Sequence, residues 1–193
     1  MELPFLSHAS SALAHSSIQG LDEFQNGFLH PLMTPVHLLV LVTFGLWLSR
    51  RRPFAPAREV GIFAASSALA FGAVLMFPKL EMPLLPVMLT AVAGASVIAS
   101  GVREPTAVRY VGFALAGALL GLDSAPDFFW ITRWNAFKTV AGSWIGLQIG
   151  ILWVGYYSSL LPDKKWATYG VRIIASWVIA IAVMMIAFLF RRA

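Results

Sequence analysis

The sequence predicts an all-α fold, a polytopic transmembrane helical bundle of about six spans. Hydrophobic residues make up 59% of the 193 residues and charged residues only 12%, whereas soluble domains carry about 25% charged residues. The apolar residues occur in six runs, each close to the roughly 20 residues that a helix needs to cross a bilayer. A soluble core cannot bury so much apolar surface, so we expect lipid to surround the protein.

The six apolar runs give the approximate bounds of the spans, which are 31–49, 60–77, 83–101, 106–122, 137–161 and 171–190. Prolines lie between the runs or at their edges, where a missing N–H costs little: Pro53, Pro78, Pro83, Pro105, Pro126 and Pro162. The second and third runs are joined by only about five residues, bracketed by Pro78 and Pro83. This spacing predicts a tight hairpin.

One domain is expected, a six-helix transmembrane domain at residues 27–193. Residues 1–26 are predicted to form an external amino-terminal segment near the membrane interface, because they lack the basic start and apolar core of a signal peptide. With this segment outside, nine Lys and Arg residues fall on the inner side and five on the outer side. The positive-inside rule, led by the Arg50–Arg52 cluster, therefore favours both termini outside.

Composition also excludes several classes of function. The formal net charge is +5, but the basic residues lie at the ends of apolar runs, which is typical of orientation signals and not of a nucleic-acid surface. The absence of cysteine excludes disulfides, thiolate metal sites and cysteine nucleophiles. We expect no enzyme, because the spans contain no H-E-x-x-H motif and no paired carboxylates at depth.

Small residues recur every fourth position on the predicted fourth and fifth spans: Gly117 and Gly121, then Gly142, Gly146 and Gly150. Because apolar burial drives helix association only weakly in lipid, close contact at small residues is expected to hold the spans together. Gln148 lies at mid-depth in the fifth span, off this glycine seam. It is interpreted as an interhelical hydrogen-bonding residue or as a polar residue of a transport pathway.

Two histidines mark the start of the first span. His37 lies about two turns into the run, where ionisable groups are rare; it is either a metal ligand or titrating group, or a buried histidine bonded to a neighbouring helix. Pro31 follows His30 and is predicted to lie in the first turn of a helix. His30 and His37 would stand about 10 Å apart along an ideal helix. One ion bridges them only if the turn is distorted.

Residues 26–48 resemble the first span of the HupE/UreJ family of nickel/cobalt permeases, whose pattern is H-P-x-x-G-x-D-H followed by an apolar run and Gly-Leu-Trp. Six residues match that pattern: His30, Pro31, His37, Gly45, Leu46 and Trp47. The family's Gly and Asp fall at Thr34 and Val36. The resemblance covers this segment well and most of the remaining chain weakly.

The family's second motif, H-G-x-A-H-G-x-E, aligns with residues 116–123. Its two histidines fall at Ala116 and Leu120, while its acid falls at Asp123. The resemblance implies a secondary permease whose transported ion is Ni²⁺ or Co²⁺, with no resident cofactor. It also implies a multi-pass protein of the bacterial inner membrane, with periplasmic termini.

The loss of imidazole ligands favours an alternative function, a non-transporting structural or accessory subunit of a larger membrane complex. The expected partners are the lipid bilayer and either other membrane subunits or further copies of the chain; nucleic acid is not expected.

The candidate metal ligands are His15, His30, His37 and Asp123. Asp22, Glu23 and Asp127 are predicted to lie on the same outer side, where an acidic vestibule would attract a divalent cation. The alternative for these residues is ordinary solvated loop charge.

Overall fold

A computed structural model describes residues 20–77, 84–124 and 132–192. Within these ranges the chain forms seven helices: α1 (Glu23–Met33), α2 (Pro35–Leu48), α3 (Ala57–Met76), α4 (Leu84–Ser100), α5 (Thr106–Asp123), α6 (Arg133–Ser159) and α7 (Lys165–Arg192). The described ranges contain no strand. The prediction of an all-α membrane bundle is confirmed.

The helices account for the six predicted apolar runs. By length and composition α3, α5, α6 and α7 are each able to cross a membrane, and α1 with α2 qualifies as one bent span. The 17-residue α4 is a shorter apolar helix. The hairpin predicted between the second and third runs falls on residues 78–83, outside the described residues.

The first span differs from its prediction. It begins at Glu23 and not near Pro31, and its two helices meet at an angle of 70°. Pro31 was expected in the first turn of a helix, but it lies inside α1. Pro35 occupies the first turn of α2. Thr34 is extended, with φ −81° and ψ 115°, because a residue before proline disfavours the helical region. The helix therefore breaks at Thr34.

Helix α1 packs along α6, on the face that carries the glycine seam. A Cβ atom at Gly142 would overlap the carbonyl oxygen of Phe24, and one at Gly146 would overlap that of Phe28. Gly150 lies against the side chain of Leu41 of α2. The seam therefore lets both halves of the bent span approach α6 closely.

Helix α5 packs on α3 in the same way. A Cβ atom at Gly117 would lie 2.5 Å from the carbonyl oxygen of Phe63, and one at Gly121 would lie 2.7 Å from that of Ser67. Real Cβ atoms do not come this close to backbone. Gly117 and Gly121 therefore make helix contacts that larger residues would block.

Helix α2 lies at the centre of the bundle. Ten of its 14 residues are buried, including Phe44 and Trp47. In contrast, only 17% of an 18-residue apolar stretch of α7 is buried. We call the end of the bundle where α2 begins and α5 finishes the His37 end. The opposite end, where α2 finishes and α5 begins, is the Arg109 end.

Candidate functional site

The His37 end contains a buried histidine–carboxylate pair. His37 lies in the first turn of α2, and Asp123 is the last residue of α5. Nε2 of His37 lies 2.6 Å from Oδ2 of Asp123, and the two side chains are 1% and 16% exposed. An ionised carboxylate only accepts hydrogen bonds, so Nε2 of His37 donates. In the neutral ring, a proton on Nε2 leaves a lone pair on Nδ1.

The Nδ1 atom of His37 is buried and has no hydrogen-bond partner among the described residues. Histidines that bind metals usually donate their other ring N–H to a carboxylate, which orients the ring and raises its basicity. Asp123 stands in that relation to His37. Protein atoms cover Nδ1, so an ion reaches it only after a neighbouring group moves.

The bend at Thr34 brings His30 close to His37. Their ring centroids lie 5.3 Å apart and their planes cross at 80°, in place of the roughly 10 Å that a straight helix would impose. Two imidazoles on one tetrahedral ion, with metal–nitrogen distances of about 2 Å, have centroids about 5 Å apart. The separation of the two rings is therefore compatible with a shared ion.

Within the described part of the chain, the remaining candidates do not form a group with His37. Asp22 caps α1: its carboxylate accepts a hydrogen bond from the Gln25 N–H at 2.7 Å, and Glu23 lies in the first turn, where it offsets the helix dipole. His15 and Asp127 lie outside the described residues. Among the residues that the structure describes, no three His, Asp or Glu side chains are grouped to hold a metal.

Gln148 bridges α6 and α3 near the same end. Its amide nitrogen lies 3.4 Å from the Ser67 hydroxyl and 3.3 Å from the Trp144 carbonyl. Its amide oxygen is buried and has no partner among the described residues. Ser67 packs against Gly121, two residues before Asp123. The structure therefore gives Gln148 an interhelical contact beside the helix that carries Asp123.

A proline-induced gap in α1 is filled by α6. Because Pro31 has no N–H, the carbonyl of Gly27 loses its partner within the helix. The buried Ser143 hydroxyl donates to this carbonyl at 3.0 Å. A membrane helix tolerates proline when a neighbouring helix satisfies the freed backbone group, and Ser143 does so here.

The Arg109 end contains a buried ionic cluster that was not predicted from the sequence. Arg109 is 1% exposed, and its Nε donates to Glu59 at 2.7 Å. Its Nη1 donates to Glu104 at 3.1 Å and to the Trp47 carbonyl at 3.0 Å. Its Nη2 donates to the Leu48 carbonyl at 3.2 Å. Arg109 therefore caps α2 and joins it to α3 and α5.

Arg109 is one of the nine inner-side Lys and Arg residues that indicate orientation, and no buried position was predicted for it. An arginine in the first turn of one span and an acid, Glu59, beside the start of another were both visible in the sequence. Ionisable residues in spans usually pair with one another. This tendency was the signal in the sequence for a contact between Arg109 and Glu59.

Glu104 lies in the loop between α4 and α5 and accepts a hydrogen bond from the Trp47 indole at 2.7 Å. Burial would raise the pKa of its carboxyl, but the hydrogen bond from Trp47, the charge of Arg50 and the hydrogen bond from Arg109 outweigh burial and lower that pKa. Glu104 is therefore a carboxylate, and its contacts with Trp47 and Arg109 hold the loop against the bundle.

Comparison with known proteins adds a family. Residues 3–185 match the family described as HupE / UreJ protein. The chain belongs to the HupE/UreJ family. No curated protein and no solved structure matches it. The family match runs through all of α1–α6 and most of α7, and it confirms the resemblance first noted at residues 26–48.

The structure explains what the matching residues do in this HupE/UreJ protein. A Cβ atom at Gly45 would lie 2.5 Å from the side chain of Val154, so the glycine lets α2 approach α6. Trp47 joins the Arg109 cluster through Glu104. The two segments that resemble family motifs meet where His37 contacts Asp123.

Proposed function

We propose that this HupE/UreJ protein is a secondary permease for a divalent transition metal, Ni²⁺ or Co²⁺, and that the ion binds to His37 during its passage. The observation that carries the proposal is the 2.6 Å contact between His37 and Asp123, together with a buried Nδ1 that has no hydrogen-bond partner in the described part of the chain. Membership of the family supports the metal as the substrate.

Imidazole nitrogen is a suitable ligand for nickel and cobalt. His37 would supply Nδ1, and His30, whose ring centroid lies 5.3 Å away, would supply the second nitrogen. Water, or His15 as the sequence predicts, would fill the remaining positions. A site with few protein ligands suits transport, because the ion must bind and then leave.

The bent span suits the same role. Transporters bind their substrates at broken helices, whose unwound backbone lines the site. The break at Thr34 lies between His30 and His37, and Pro35 occupies the first turn of α2 directly after it. Movement of α1 relative to α2 would alter the distance between the rings of His30 and His37.

The alternative is a non-transporting subunit of a membrane complex. Two observations on the described residues favour it. One carboxylate, that of Asp123, pairs with His37, and no group of three metal ligands occurs there. The exposed apolar face of α7, which includes Trp177, Ile181 and Met184, would then pack against a partner subunit.

Flux of radioactive nickel and cobalt across proteoliposomes that contain only this chain distinguishes the two functions. The permease predicts a flux that falls about tenfold or more in His37→Gln, by loss of a ligand. Arg58→Gln, an exposed charge at the other end, should retain the wild-type flux.

No flux of either metal from correctly folded wild-type protein would contradict the permease. Co-purification of a stoichiometric membrane partner in that case would establish the accessory subunit.

A further inference from the structure

A cavity of about 350 Å³ opens at the Arg109 end, between the ends of α2, α4 and α6 and the start of α7. Three guanidinium groups line it, those of Arg50, Arg52 and Arg172, against one carboxylate, that of Asp163. Its lining also carries hydroxyl groups, those of Ser49, Ser158 and Thr168. None of these residues belongs to the His37 site.

The three arginines satisfy carbonyls that the helix ends leave unpaired. Arg50 donates to the carbonyls of Val97 and Val102 at 3.0 and 2.7 Å, and Arg172 donates to that of Ser100 at 2.6 Å.

Arg52 caps the end of α6 through the carbonyls of Ser159 and Leu161. Each guanidinium has five N–H donors. The five carbonyl contacts, together with the ion pairs of Arg50 with Glu104 and of Arg52 with Asp163, therefore still leave donors on each arginine for a further acceptor.

Three guanidinium groups and one carboxylate line the cavity, and the Glu104 carboxylate lies 3.4 Å from Arg50 outside the lining, which leaves a net positive charge. Burial lowers the pKa of Arg50, and the charges of Arg109 and Arg172 lower it further, against the opposing charge of Glu104. The cavity's one acid, Asp163, is 86% exposed and lies 3.6 Å from Arg52. Like charges gathered in a cleft attract an anion, because the anion relieves their repulsion.

Exposed aromatic residues lie in the last two turns of α6 and the first two turns of α7, the helix ends that line the cavity: Trp153, Tyr156, Tyr157, Trp166 and Tyr169. Such belts lie at the level of the lipid headgroups. The cavity therefore opens at the depth where the phosphates of phospholipids are found.

We propose that this cavity is a binding site for a phosphate group, carried by the headgroup of an anionic phospholipid or by free phosphate. Arginine binds phosphate through two parallel N–H contacts, and basic pockets between transmembrane helices bind anionic headgroups. The depth of the aromatic belt favours the lipid. This site is independent of metal transport.

The test compares binding of phosphatidylglycerol and phosphatidylcholine to the purified full chain in mixed micelles, with bound lipid counted by native mass spectrometry. We expect the anionic lipid to bind more tightly and Arg172→Gln to weaken it about fivefold. Asp163→Asn removes the opposing charge and should tighten binding by a similar factor. Arg58→Gln, exposed and outside the cavity, is the matched control and should change nothing.

Arg172→Lys retains the charge and should keep the preference for the anionic lipid. If Arg172→Gln fails to fold, Asp163→Asn still tests the proposal, because it alters an exposed residue and should change lipid binding. A second arm titrates inorganic phosphate and follows thermal unfolding. Stabilisation by phosphate that Arg172→Lys retains, without a preference for phosphatidylglycerol, would assign the site to free phosphate. Equal binding of both lipids, together with no response to phosphate and no gain in Asp163→Asn, would overturn the proposal.

Discussion

Nε2 of His37 lies 2.6 Å from Oδ2 of Asp123, although 86 residues separate them. The contact joins the central helix α2 to the end of α5, and it connects the two segments that resemble the motifs of the family. A carboxylate that holds the Nε2 proton leaves Nδ1 as the nitrogen able to bind a metal. If His37 binds the ion as proposed, Asp123 would act on that ion through the ring and would need no contact with the ion itself.

Asp123→Asn should weaken nickel binding about 10–100-fold, the usual effect of removing a carboxylate behind a metal-binding histidine. The asparagine oxygen still accepts the Nε2 hydrogen bond, so the fold should survive. The double variant His37→Gln/Asp123→Asn should bind no more weakly than His37→Gln alone, because Asp123 acts only through the ring. Isothermal titration with NiCl₂ measures both effects, and additive losses would show that Asp123 binds the ion directly.

Gly142→Ala should lower the free energy of unfolding by about 1–3 kcal/mol, the typical cost of overpacking, because its Cβ atom would overlap the carbonyl oxygen of Phe24. Gly72→Ala is the matched control, since a Cβ atom there meets nothing within 4 Å. That control should stabilise the helix by about 0.5–1 kcal/mol. Chemical unfolding in micelles measures both, and equal stability of the two variants would refute close packing of α1 on α6.

The positions of the apolar helices follow from the sequence because a bilayer fixes the length of an apolar span, although the first span consists of two helices. The approach of α5 to α3 follows in part, since Gly117 and Gly121 mark a face where backbones meet. Sequence spacing does not specify which helix fills that face. The partner depends on the topology of the whole bundle.

The bend in the first span was not predictable from spacing alone. Pro31 and Pro35 are each compatible with a helix start, and both readings leave a plausible span. Packing against α6 favours Pro31 inside a helix, because the Ser143 hydroxyl donates the hydrogen bond that the Gly27 carbonyl cannot receive from Pro31. That contact spans 116 residues, and no local pattern records it.

His37 and Asp123 were both candidates from the sequence, but their contact was not predicted. The Arg109 cluster was missed for a different reason. Arg109 and Glu59 lie at the ends of spans, where charges usually face water or headgroups, so their burial was not expected. Packing of α3 against α5 encloses both charges.

Arg109→Leu should destabilise the protein by about 3–5 kcal/mol, because it leaves the buried Glu59 with only the half-exposed Arg51, at 3.5 Å, as a counter-charge. The double variant Glu59→Leu/Arg109→Leu removes both charges and should recover at least part of that loss. Glu104 retains Trp47 and Arg50 in either variant. Unfolding in micelles tests the order, and a double variant no more stable than Arg109→Leu would contradict the pairing.

Glu104 should make the stability of the protein depend on pH. Its pKa is lower in the folded protein than its ordinary value, so its contribution is complete above the ordinary value of about 4.3. The contribution is lost as the pH falls through the lower, folded pKa. The stability difference between wild type and Glu104→Gln should therefore be constant at neutral pH and shrink in acid below about pH 4. Thermal unfolding across pH 3–7 checks this, and a difference that grows in acid would give the wrong sign.

Ser143→Ala should cost about 1–3 kcal/mol, the penalty for leaving the buried Gly27 carbonyl without a partner. Pro31→Ala restores an N–H to α1, and that N–H is placed to bond the same carbonyl within the helix. The double variant Pro31→Ala/Ser143→Ala should therefore be more stable than Ser143→Ala alone. Because alanine also favours a helix more than proline does, the stability of Pro31→Ala on the wild-type background must be subtracted. A coupling energy near zero after this subtraction would mean that Ser143 does not replace the hydrogen bond that Pro31 removes.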